Sequence, residues 1–339
     1  MSVSHGNRGF CNINNEAIMI EYLRQKYGIK KVAIVDTDVH HGDGTQEIYY
    51  HDPDVLFISF HQDGRTLYPG SGFMDELGGP LAYGTTINLP LAPNTTDTGI
   101  LYALDNLILP LLDEFKPEII INSAGQDNHY SDPLASMRFS AQGYAKLNAR
   151  LAPDIAVLEG GYSVETALPY VNMGIIMAMA GIDFSNLREP DYRPEKMKES
   201  PNNLEYIKKM VTQQLNAFRQ RHEVIAKNRK TKERFYTTNK QIFYDTDYIN
   251  EQQKVQLRLC PDCAGFRLID SSAYHHDGTH YRVYCISIPH NACSNCQAEG
   301  RSYYGDMTGN KLYDFVYLQD RISDEYRSMD NRKGTEKVL

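Results

Sequence analysis

Short apolar runs alternate with longer amphipathic stretches through the first 184 residues of the chain. The runs are rich in β-branched residues and predict buried strands, whereas the stretches between them place apolar residues at helical spacing. Apolar strands separated by helices are typical of a parallel sheet that helices cover on both faces. The pattern therefore predicts an α/β fold. Its predicted strands are residues 31–36, 54–60, 85–91, 118–124 and 154–160.

The predicted helices of this part carry recognisable end signals. The stretch 14–28 ends on Gly28, a typical C-terminal cap, and the stretch 97–115 begins at Asp97, a residue type that caps helix N-termini. Pro110 lies inside the second stretch and should kink or split it, because proline lacks the amide hydrogen and clashes with the preceding turn. Two further helices are predicted at residues 140–152 and 164–181.

The pattern changes after residue 184. Residues 185–203 carry three prolines and many charges, which indicates a linker or surface loop. Residues 204–226 show a helical stripe of apolar positions, and the basic stretch after them is interpreted as solvated surface. Three parts are therefore predicted. They are an α/β domain (1–184), a charged linker and helix (185–255) and a small cysteine-containing module (256–330).

Composition and charge narrow the class of protein. The chain has 339 residues, of which 41% are hydrophobic and 23% charged, and its formal net charge is −8. This composition is globular, and the negative charge disfavours nucleic acid or an anionic membrane as a partner. The sequence shows neither a run long enough to span a membrane nor a signal-peptide pattern, so we expect a cytoplasmic location.

Residues 35–46, VDTDVHHGDGTQ, place three aspartates and two histidines directly after the predicted strand 31–36. Open parallel sheets bind ligands beyond the carboxyl ends of their strands. Charged groups beside an apolar strand are costly unless they are paired or bind a metal. Asp38 and His40 are two residues apart, so their side chains point to one side of an extended segment. We interpret the cluster as metal-binding, although an aspartate after a strand is more often a turn residue.

Two further candidates follow the ends of other predicted strands. Asp127, in SAGQDNH, follows strand 118–124, and Tyr162, in LEGGYS, follows strand 154–160. Two carboxylates and one imidazole, with a position left open for water, form a catalytic zinc arrangement. Tyr162 could donate a hydrogen bond to an oxyanion that develops there. From the residues alone, a turn residue for Asp127 and ordinary packing for Tyr162 are equally good interpretations.

Five motifs in order resemble those of the histone deacetylase family, which includes acetylpolyamine and acetoin-utilisation relatives. They are GFCNINN (9–15), DTDVHHGDG (36–44), SFHQDGRTLYPGSG (59–72), SAGQDNHYSDPL (123–134) and LEGGY (158–162). The resemblance covers about residues 7–184. It implies an arginase-like, three-layer parallel sheet, incomplete at its N-terminus, and a zinc-dependent amidohydrolase. The implied substrate is acetyl-lysine, acetylpolyamine or a related amide.

The resemblance also implies roles for single residues by their positions in the motifs. Tyr162 would polarise the acetyl carbonyl. The implied ligands of the catalytic Zn²⁺ are Asp38, His40 and Asp127. The implied lining of the substrate tunnel is Gly9, Phe10, Tyr68 and Gly161. A monovalent cation, usually K⁺, would be held by Asp36, Ser59, the Asp38 carboxylate and the His40 backbone.

One departure from the family pattern concerns the general base. Family members carry two adjacent histidines shortly before the GFC motif. In the family, the aspartates at the positions of Asp36 and Asp43 accept hydrogen bonds from these two imidazoles. Only MSVSHGNR precedes Gly9, and we do not assign the base to the single His5. We therefore expect weak or no catalysis by these residues alone. Three explanations stay open: the protein starts upstream, a second chain supplies the pair, or the fold is a catalytically impaired remnant. The alternative is a non-catalytic metal-binding scaffold.

Two CxxC pairs lie near the C-terminus, CPDC (260–263) and CSNC (293–296). In a chain without an export signal, thiolates on a metal are favoured over disulfides. Four thiolates complete a closed tetrahedral zinc site, which is structural rather than catalytic. A zinc-ribbon-like module is therefore predicted, and a protein is a better candidate partner for it than nucleic acid. We expect Cys11 and Cys285 to be packing residues. The predicted ligands of the structural Zn²⁺ are Cys260, Cys263, Cys293 and Cys296.

Overall fold

The computed structural model describes residues 10–244 and 247–339. This part of the chain divides into two compact units, each built on its own sheet. The first unit consists of Ile13–Gly78 and Tyr83–Arg221. The second consists of residues 10–12, Gly79–Ala82 and His222–Leu339.

The first unit is built on a five-stranded sheet in which every pairing is parallel. Its order across the sheet is β3-β2-β1-β4-β5. All five predicted strands are confirmed, with ends that differ by one or two residues. The strands are β1 (Val32–Asp36), β2 (Val55–Gln62), β3 (Thr86–Leu91), β4 (Ile119–Ala124) and β5 (Ile155–Leu158).

Helices cover both faces of this sheet, as the sequence predicts. Val32 and Ile34 of β1 lie in one apolar core, whereas Ala33 and Val35 lie in the other, because successive side chains of a strand point to opposite faces. The first core is covered by α1 (Asn15–Tyr27) and α2 (Asp43–Tyr49). The second is covered by α3 (Asp97–Ala103), α4 (Leu109–Phe115), α5 (Ala141–Leu151), α6 (Leu168–Met179) and α7 (Pro201–Arg219).

The second predicted helix begins and divides differently in detail. Its N-cap is Thr96, not Asp97 as predicted. The backbone of Thr96 is extended, and its hydroxyl oxygen accepts a hydrogen bond from the Thr98 amide. Asp97 instead accepts hydrogen bonds from the amide and hydroxyl of Ser140, the N-cap of α5. The predicted interruption is confirmed as a π-helical turn, Leu104–Ile108, placed just before Pro110.

The segment predicted as linker and helix is divided between the two units. The first unit continues past the predicted boundary at residue 184 and ends at Arg221. Helix α7 buries Ile207, Val211 and Phe218 in the core of that unit. The amide of Gln214 donates to the backbone oxygens of Met74 and Asn88, at 2.9 and 3.1 Å. The part of the predicted helix 204–226 that lies in α7 is therefore packed in a core, and the rest lies in α8 (Arg221–Arg229), which buries no residue.

The second unit is a seven-stranded sheet with the order β12-β11-β10-β9-β8-β7-β6. All its pairings are antiparallel except that of β9 with β10, and α9 (Ser294–Met307) forms the crossover that two parallel neighbours require. The four cysteines predicted to form a zinc-ribbon-like module lie within this larger unit. Its strands are β6 (Phe235–Tyr244), β7 (Ile249–Arg258), β8 (Arg267–Tyr274), β9 (His280–Ile288), β10 (Phe315–Asp320), β11 (Glu325–Asp330) and β12 (Thr335–Val338).

No helix in the described part of the chain is both long and apolar enough to cross a membrane. The two cysteines outside the CxxC pairs, Cys11 and Cys285, are half-buried. Burial raises the pKa of the Cys285 thiol to about 11, which fits a packing role for that residue.

Candidate metal centre

The strand order of the first unit creates a crevice between β1 and β4. The chain runs outward from β1 through β2 to β3 on one side, then returns to place β4 and β5 on the other side. Ligands of open parallel sheets bind where the order reverses in this way, beyond the carboxyl ends of the strands. The segments that leave these two strands carry Asp38, His40 and Asp127.

The three predicted metal ligands lie together at this crevice. One ligand atom from each residue lies within 4.8 Å of the other two. His40 Nδ1 is 3.1 Å from Asp38 Oδ1 and 2.9 Å from Asp127 Oδ2. Asp127 is fully buried and His40 nearly so. Two carboxylates and one imidazole are a donor set that suits zinc and leaves a coordination position open.

The electrostatics of the site also fit a cation. Burial and the charge of Asp38 raise the pKa of Asp127 to about 7. Burial alone would lower the pKa of His40, but its hydrogen bonds to Asp127 and Asp38 outweigh that effect and raise it to about 10. Burial, followed by the charge of Asp38, also raises the pKa of Asp36. A cation among these oxygen atoms would relieve the repulsion between the carboxylates.

Backbone amides hold the two ligand carboxylates in place. The Val39 amide donates to Asp127 Oδ1 at 2.8 Å, and the Gly160 amide donates to Asp38 Oδ2 at the same distance. A Cβ atom at Gly160 would lie 2.7 Å from Asp38 Oδ2 and would overlap Asp127 Oδ2, so only glycine fits there. Glycine at position 160 therefore makes room for the two ligand carboxylates.

Tyr162 and Gly161 follow Gly160 out of β5. The Tyr162 ring stands edge-on to the His40 ring, with 6.3 Å between ring centroids. The Tyr162 amide donates to Asp132 Oδ2 at 2.8 Å, which fixes the backbone at this point. A Cβ at Gly161 would lie 2.8 Å from Leu168 Cδ2, so this position is closely packed. The structure thus brings Tyr162 to the side of the crevice that carries the imidazole.

The residues of the predicted monovalent-cation site also meet. Asp36 is buried at the end of β1, where its carboxylate accepts hydrogen bonds from the Asp38 amide at 3.1 Å and the Ser59 hydroxyl at 3.3 Å. Ser59 also contacts His61 Nδ1 at 2.9 Å. Asp43 is buried at the first position of α2. The roles of these residues in holding K⁺ or in catalysis stay predictions.

The predicted tunnel residues are less fully defined. Gly9 and His5 lie outside the described residues. Phe10 is 80% exposed and belongs to the second unit, whereas Tyr68 is 40% exposed in the loop after β2. Their part in a substrate tunnel stays a prediction.

Two carboxylates near the site were not predicted. Asp132 fixes the Tyr162 backbone, and Glu16 of α1 is buried and accepts a hydrogen bond from the Ser123 hydroxyl at 2.6 Å. Burial raises the pKa of Glu16. A glutamate in the first turn of a helix is ordinarily a surface residue whose charge interacts favourably with the helix dipole. The pattern of apolar residues therefore does not predict that Glu16 is buried.

The second unit contains the other predicted group of ligands. The sulfur atoms of its CxxC pairs all lie within 4.8 Å of one another, and none of these cysteines forms a disulfide. The group consists of Cys260, Cys263, Cys293 and Cys296.

Comparison with known proteins gives the first unit relatives. Residues 3–175 match the family model of the histone deacetylase domain. A probable deacetylase of Archaeoglobus fulgidus is 52% identical over 197 residues, which cover 55% of this chain and 54% of the relative. Histone deacetylase 14, chloroplastic, of Arabidopsis thaliana is 40% identical over 174 residues, 49% of this chain and 41% of the relative.

Two further matches are to proteins of lower sequence identity. Acetoin utilization protein AcuC of Bacillus subtilis is 36% identical over 211 residues, 58% of this chain and 54% of the relative. A crystal structure of the HDA15 HD domain matches with a TM-score of 0.55 and 29% identity, and covers 67% of this chain and 62% of that chain. The chain spans about half the length of the curated relatives it matches.

Proposed function

The chain belongs to the histone deacetylase family, and we propose that it binds zinc and hydrolyses the amide that joins an acetyl group to an amine. The observation that carries this proposal is the meeting of Asp38, His40 and Asp127 at the reversal of strand order. The proposed substrates are acetyl-lysine, an acetylated polyamine or a related amide. All three present the same acetyl amide on an alkyl chain.

Asp38, His40 and Asp127 would hold the catalytic zinc. When bound, zinc would polarise the acetyl carbonyl and lower the pKa of a water molecule. The amides of Val39 and Gly160 already fix the two carboxylates, so little reorganisation is needed when the cation enters.

Tyr162 would act on the substrate itself. Its hydroxyl would donate a hydrogen bond to the acetyl oxygen as negative charge develops there. Asp132 would be a positioning residue, because it holds the Tyr162 backbone without a place on the substrate. The residues that the family resemblance implies for contact with the alkyl chain of the substrate are Gly9, Phe10, Tyr68 and Gly161.

Proton transfer is the weak step of the proposed reaction. Residues 1–8 contain a single histidine, so these 339 residues place no adjacent histidine pair before the GFC motif for Asp36 and Asp43 to serve. A positioned general base contributes typically about 10²–10⁴-fold to the rate. We therefore propose weak turnover for these 339 residues on their own. Asp36 and Ser59 would retain the structural task of holding K⁺.

The proposal is tested with the zinc-loaded chain, a fluorogenic acetyl-lysine peptide and an acetylated polyamine. Slow release of acetate is expected from at least one substrate. Asp127→Asn should abolish it, because the variant removes a ligand charge at a fully buried position. Asp113→Asn makes the same chemical change at an exposed position of α4 and should leave the rate unchanged.

Three results would each contradict a part of this proposal. Turnover that survives in Asp127→Asn would exclude the proposed site. Zinc bound at the site with no acetate release above the uncatalysed rate would exclude the deacetylase and favour the alternative, a non-catalytic metal-binding scaffold. A normal family rate would instead contradict the weak turnover proposed for this chain.

A further inference from the structure

We propose that the four cysteines of the second unit form a tetrathiolate zinc site that ties the β7–β8 turn to the first turn of α9, and that this unit needs the metal to fold. The site shares no residue with the proposed deacetylase centre, and it lies in a different unit. The inference is therefore independent of the proposed catalytic function.

The spacing of the sulfur atoms matches a metal and not a disulfide. Zinc–sulfur bonds of about 2.3 Å in a tetrahedron place the sulfur atoms about 3.8 Å apart. Cys260 Sγ and Cys293 Sγ, one from each CxxC pair, are 3.9 Å apart. A disulfide would require about 2.05 Å. All four sulfur atoms lie within 4.8 Å of one another, so one ion can reach them all.

The first pair lies in a tight turn between β7 and β8. The Gly265 amide donates a hydrogen bond to Cys263 Sγ at 3.2 Å. Gly265 has φ +73°, and a Cβ there would overlap the carbonyl oxygen of Arg258. The turn therefore needs glycine to aim an amide at the sulfur, and an amide donor favours the ionised thiolate that binds metal.

The second pair lies at the start of α9. Cys293 is the N-cap residue, and Cys296 lies in the first turn of this 14-residue helix. The unpaired amides and the dipole at a helix N-terminus stabilise a thiolate. The metal would therefore join two segments, a loop from the sheet and the start of a helix, that each contribute two sulfur ligands.

The site is closed and part of a core. Cys260, Cys263 and Cys296 are buried and pack in one apolar cluster with Phe266 and Tyr304. Four protein ligands leave no position for water or substrate, which is typical of structural zinc. The cysteines lie where α9 packs against the sheet. Small thiol side chains fill little of this core, so bonds to the metal would hold the helix and the sheet together there. Binding free energy at such a site is folding free energy.

Cys285 provides a matched control for the proposed ligands. It lies on β9 between Tyr284 and Ile286, which both belong to the apolar cluster. Because side chains alternate along a strand, Cys285 points to the other face of the sheet. It is a half-buried cysteine of the same unit that the metal cannot use.

The test uses the full chain, purified with a thiol reductant and loaded with zinc or with cobalt(II). Cobalt bound to thiolates gives an intense sulfur-to-metal charge-transfer band, which carboxylate and imidazole ligands do not. We expect this band in the unaltered chain and in Cys285→Ser and Asp127→Asn. Cys296→Ser should show a weaker band, because three thiolates remain at most. It should also bind about one zinc per chain less tightly, and its second unit should no longer unfold cooperatively.

Absence of the band in the unaltered, cobalt-loaded chain would overturn the proposal, as would a band of unchanged intensity in Cys296→Ser. If Cys296→Ser does not fold, thiol titration of the unaltered chain decides. The four clustered cysteines should react slowly with a thiol reagent in zinc and rapidly after a chelator is added. Disulfides within the cluster in the reduced, zinc-loaded protein, or a thiol reactivity that the chelator does not change, would contradict it.

Discussion

The two ligand clusters of this chain are built in opposite ways. Asp38, His40 and Asp127 leave two parallel strands of a sheet that is buried on both faces. They offer oxygen and nitrogen and leave a position open. The cysteines come from a turn and a helix end, offer only sulfur and would enclose the proposed metal. The first arrangement suits chemistry on a substrate, and the second suits joining segments.

The comparison shows where the stability of each site comes from. The first cluster lies at the edge of two large apolar cores, so the sheet holds its ligands in place before any ion binds. Three of the four cysteines are themselves members of the core of the second unit. Removal of metal should therefore leave the first unit folded, whereas it should loosen the second.

Each cluster depends on a glycine next to a ligand, but for a different reason. Gly160 leaves space for two carboxylates, whereas Gly265 adopts a backbone conformation that other residues avoid. Variants at these positions therefore test the two sites separately.

The largest effect is expected for Gly265→Ala. The added methyl group meets both an unfavourable φ and a backbone oxygen that cannot move aside, so the second unit should lose about 3 kcal/mol or more. Gly278→Ala also has a positive φ, +83°, but open space around the Cβ, and should lose only about 1–2 kcal/mol. Urea denaturation and the cobalt–thiolate band provide the measurements. Equal losses in the two variants would mean that the turn does not need its tight contact.

Gly160→Ala should act on the other cluster. The methyl group would displace the carboxylates of Asp38 and Asp127, and zinc affinity at this site should fall about 10–100-fold. Competition with a chromophoric chelator measures the affinity, and the cobalt–thiolate band should not change. Gly181→Ala, with open space around it in the same unit, serves as the control. An unchanged affinity in Gly160→Ala would show that the carboxylates are not held as described.

Two glycines of α9 test how closely this helix must approach the sheet. A Cβ at Gly300 would lie 2.9 Å from two atoms of Ile288, so Gly300→Ala should destabilise the second unit by about 1–3 kcal/mol. A Cβ at Gly305 meets nothing within 4 Å, and Gly305→Ala should stabilise the helix by about 0.5–1 kcal/mol. Thermal unfolding compares the two variants. Destabilisation by both would indicate that helix propensity is not the deciding factor at Gly305.

The smallest effect concerns the acid stability of the second unit. Burial alone would raise the pKa of Asp320, but hydrogen bonds from Gln297 and Arg301, at 2.9 and 2.7 Å, outweigh it and lower the pKa. A carboxyl whose pKa is lowered by folding stabilises the fold above its unfolded pKa, about 3.9, and this contribution is lost as the pH falls through the folded value. Asp320→Asn should be less stable than the unaltered chain at neutral pH.

The difference between the two proteins should shrink below about pH 4, because the unaltered carboxyl is then protonated as well. Urea unfolding at several pH values measures it. A difference that stays constant down to acid pH would mean that the charge of Asp320 contributes nothing.

Much of the first unit could be predicted because its signals are local. Apolar runs predicted all five strands, and Gly28, with φ 70°, caps the C-terminus of α1 as predicted. The ligands Asp38 and Asp127 follow strand ends, so the strand prediction alone brings them to one edge of the sheet. Contacts between distant residues could not be predicted. Thr96 and Asp97 are both good caps, and what separates them is the hydrogen bonding of Asp97 to Ser140.

The second unit was harder to predict. Strands β6 and β7 contain many polar residues, and mainly alternate positions are shielded from solvent. For this reason β6 and most of β7 fell within the segment predicted as linker and helix (185–255). The apolar stripe of α7 identifies a helix but not the core that it joins. The cysteine cluster was predicted because a CxxC turn is a complete local signal, whatever fold surrounds it.

The distances along the chain between the ligands have a kinetic consequence. Val39 and Asp127, joined by a hydrogen bond at the first cluster, are 88 residues apart, whereas Cys260 and Cys293 are 33 apart. Closing the longer loop requires that β4 has already docked beside β1, and such distant contacts form slowly. During refolding in zinc or cobalt, the thiolate signal should therefore appear before the carboxylate site can hold an ion. The order in which the two sites bind their ions would then show which of the two sheets forms first.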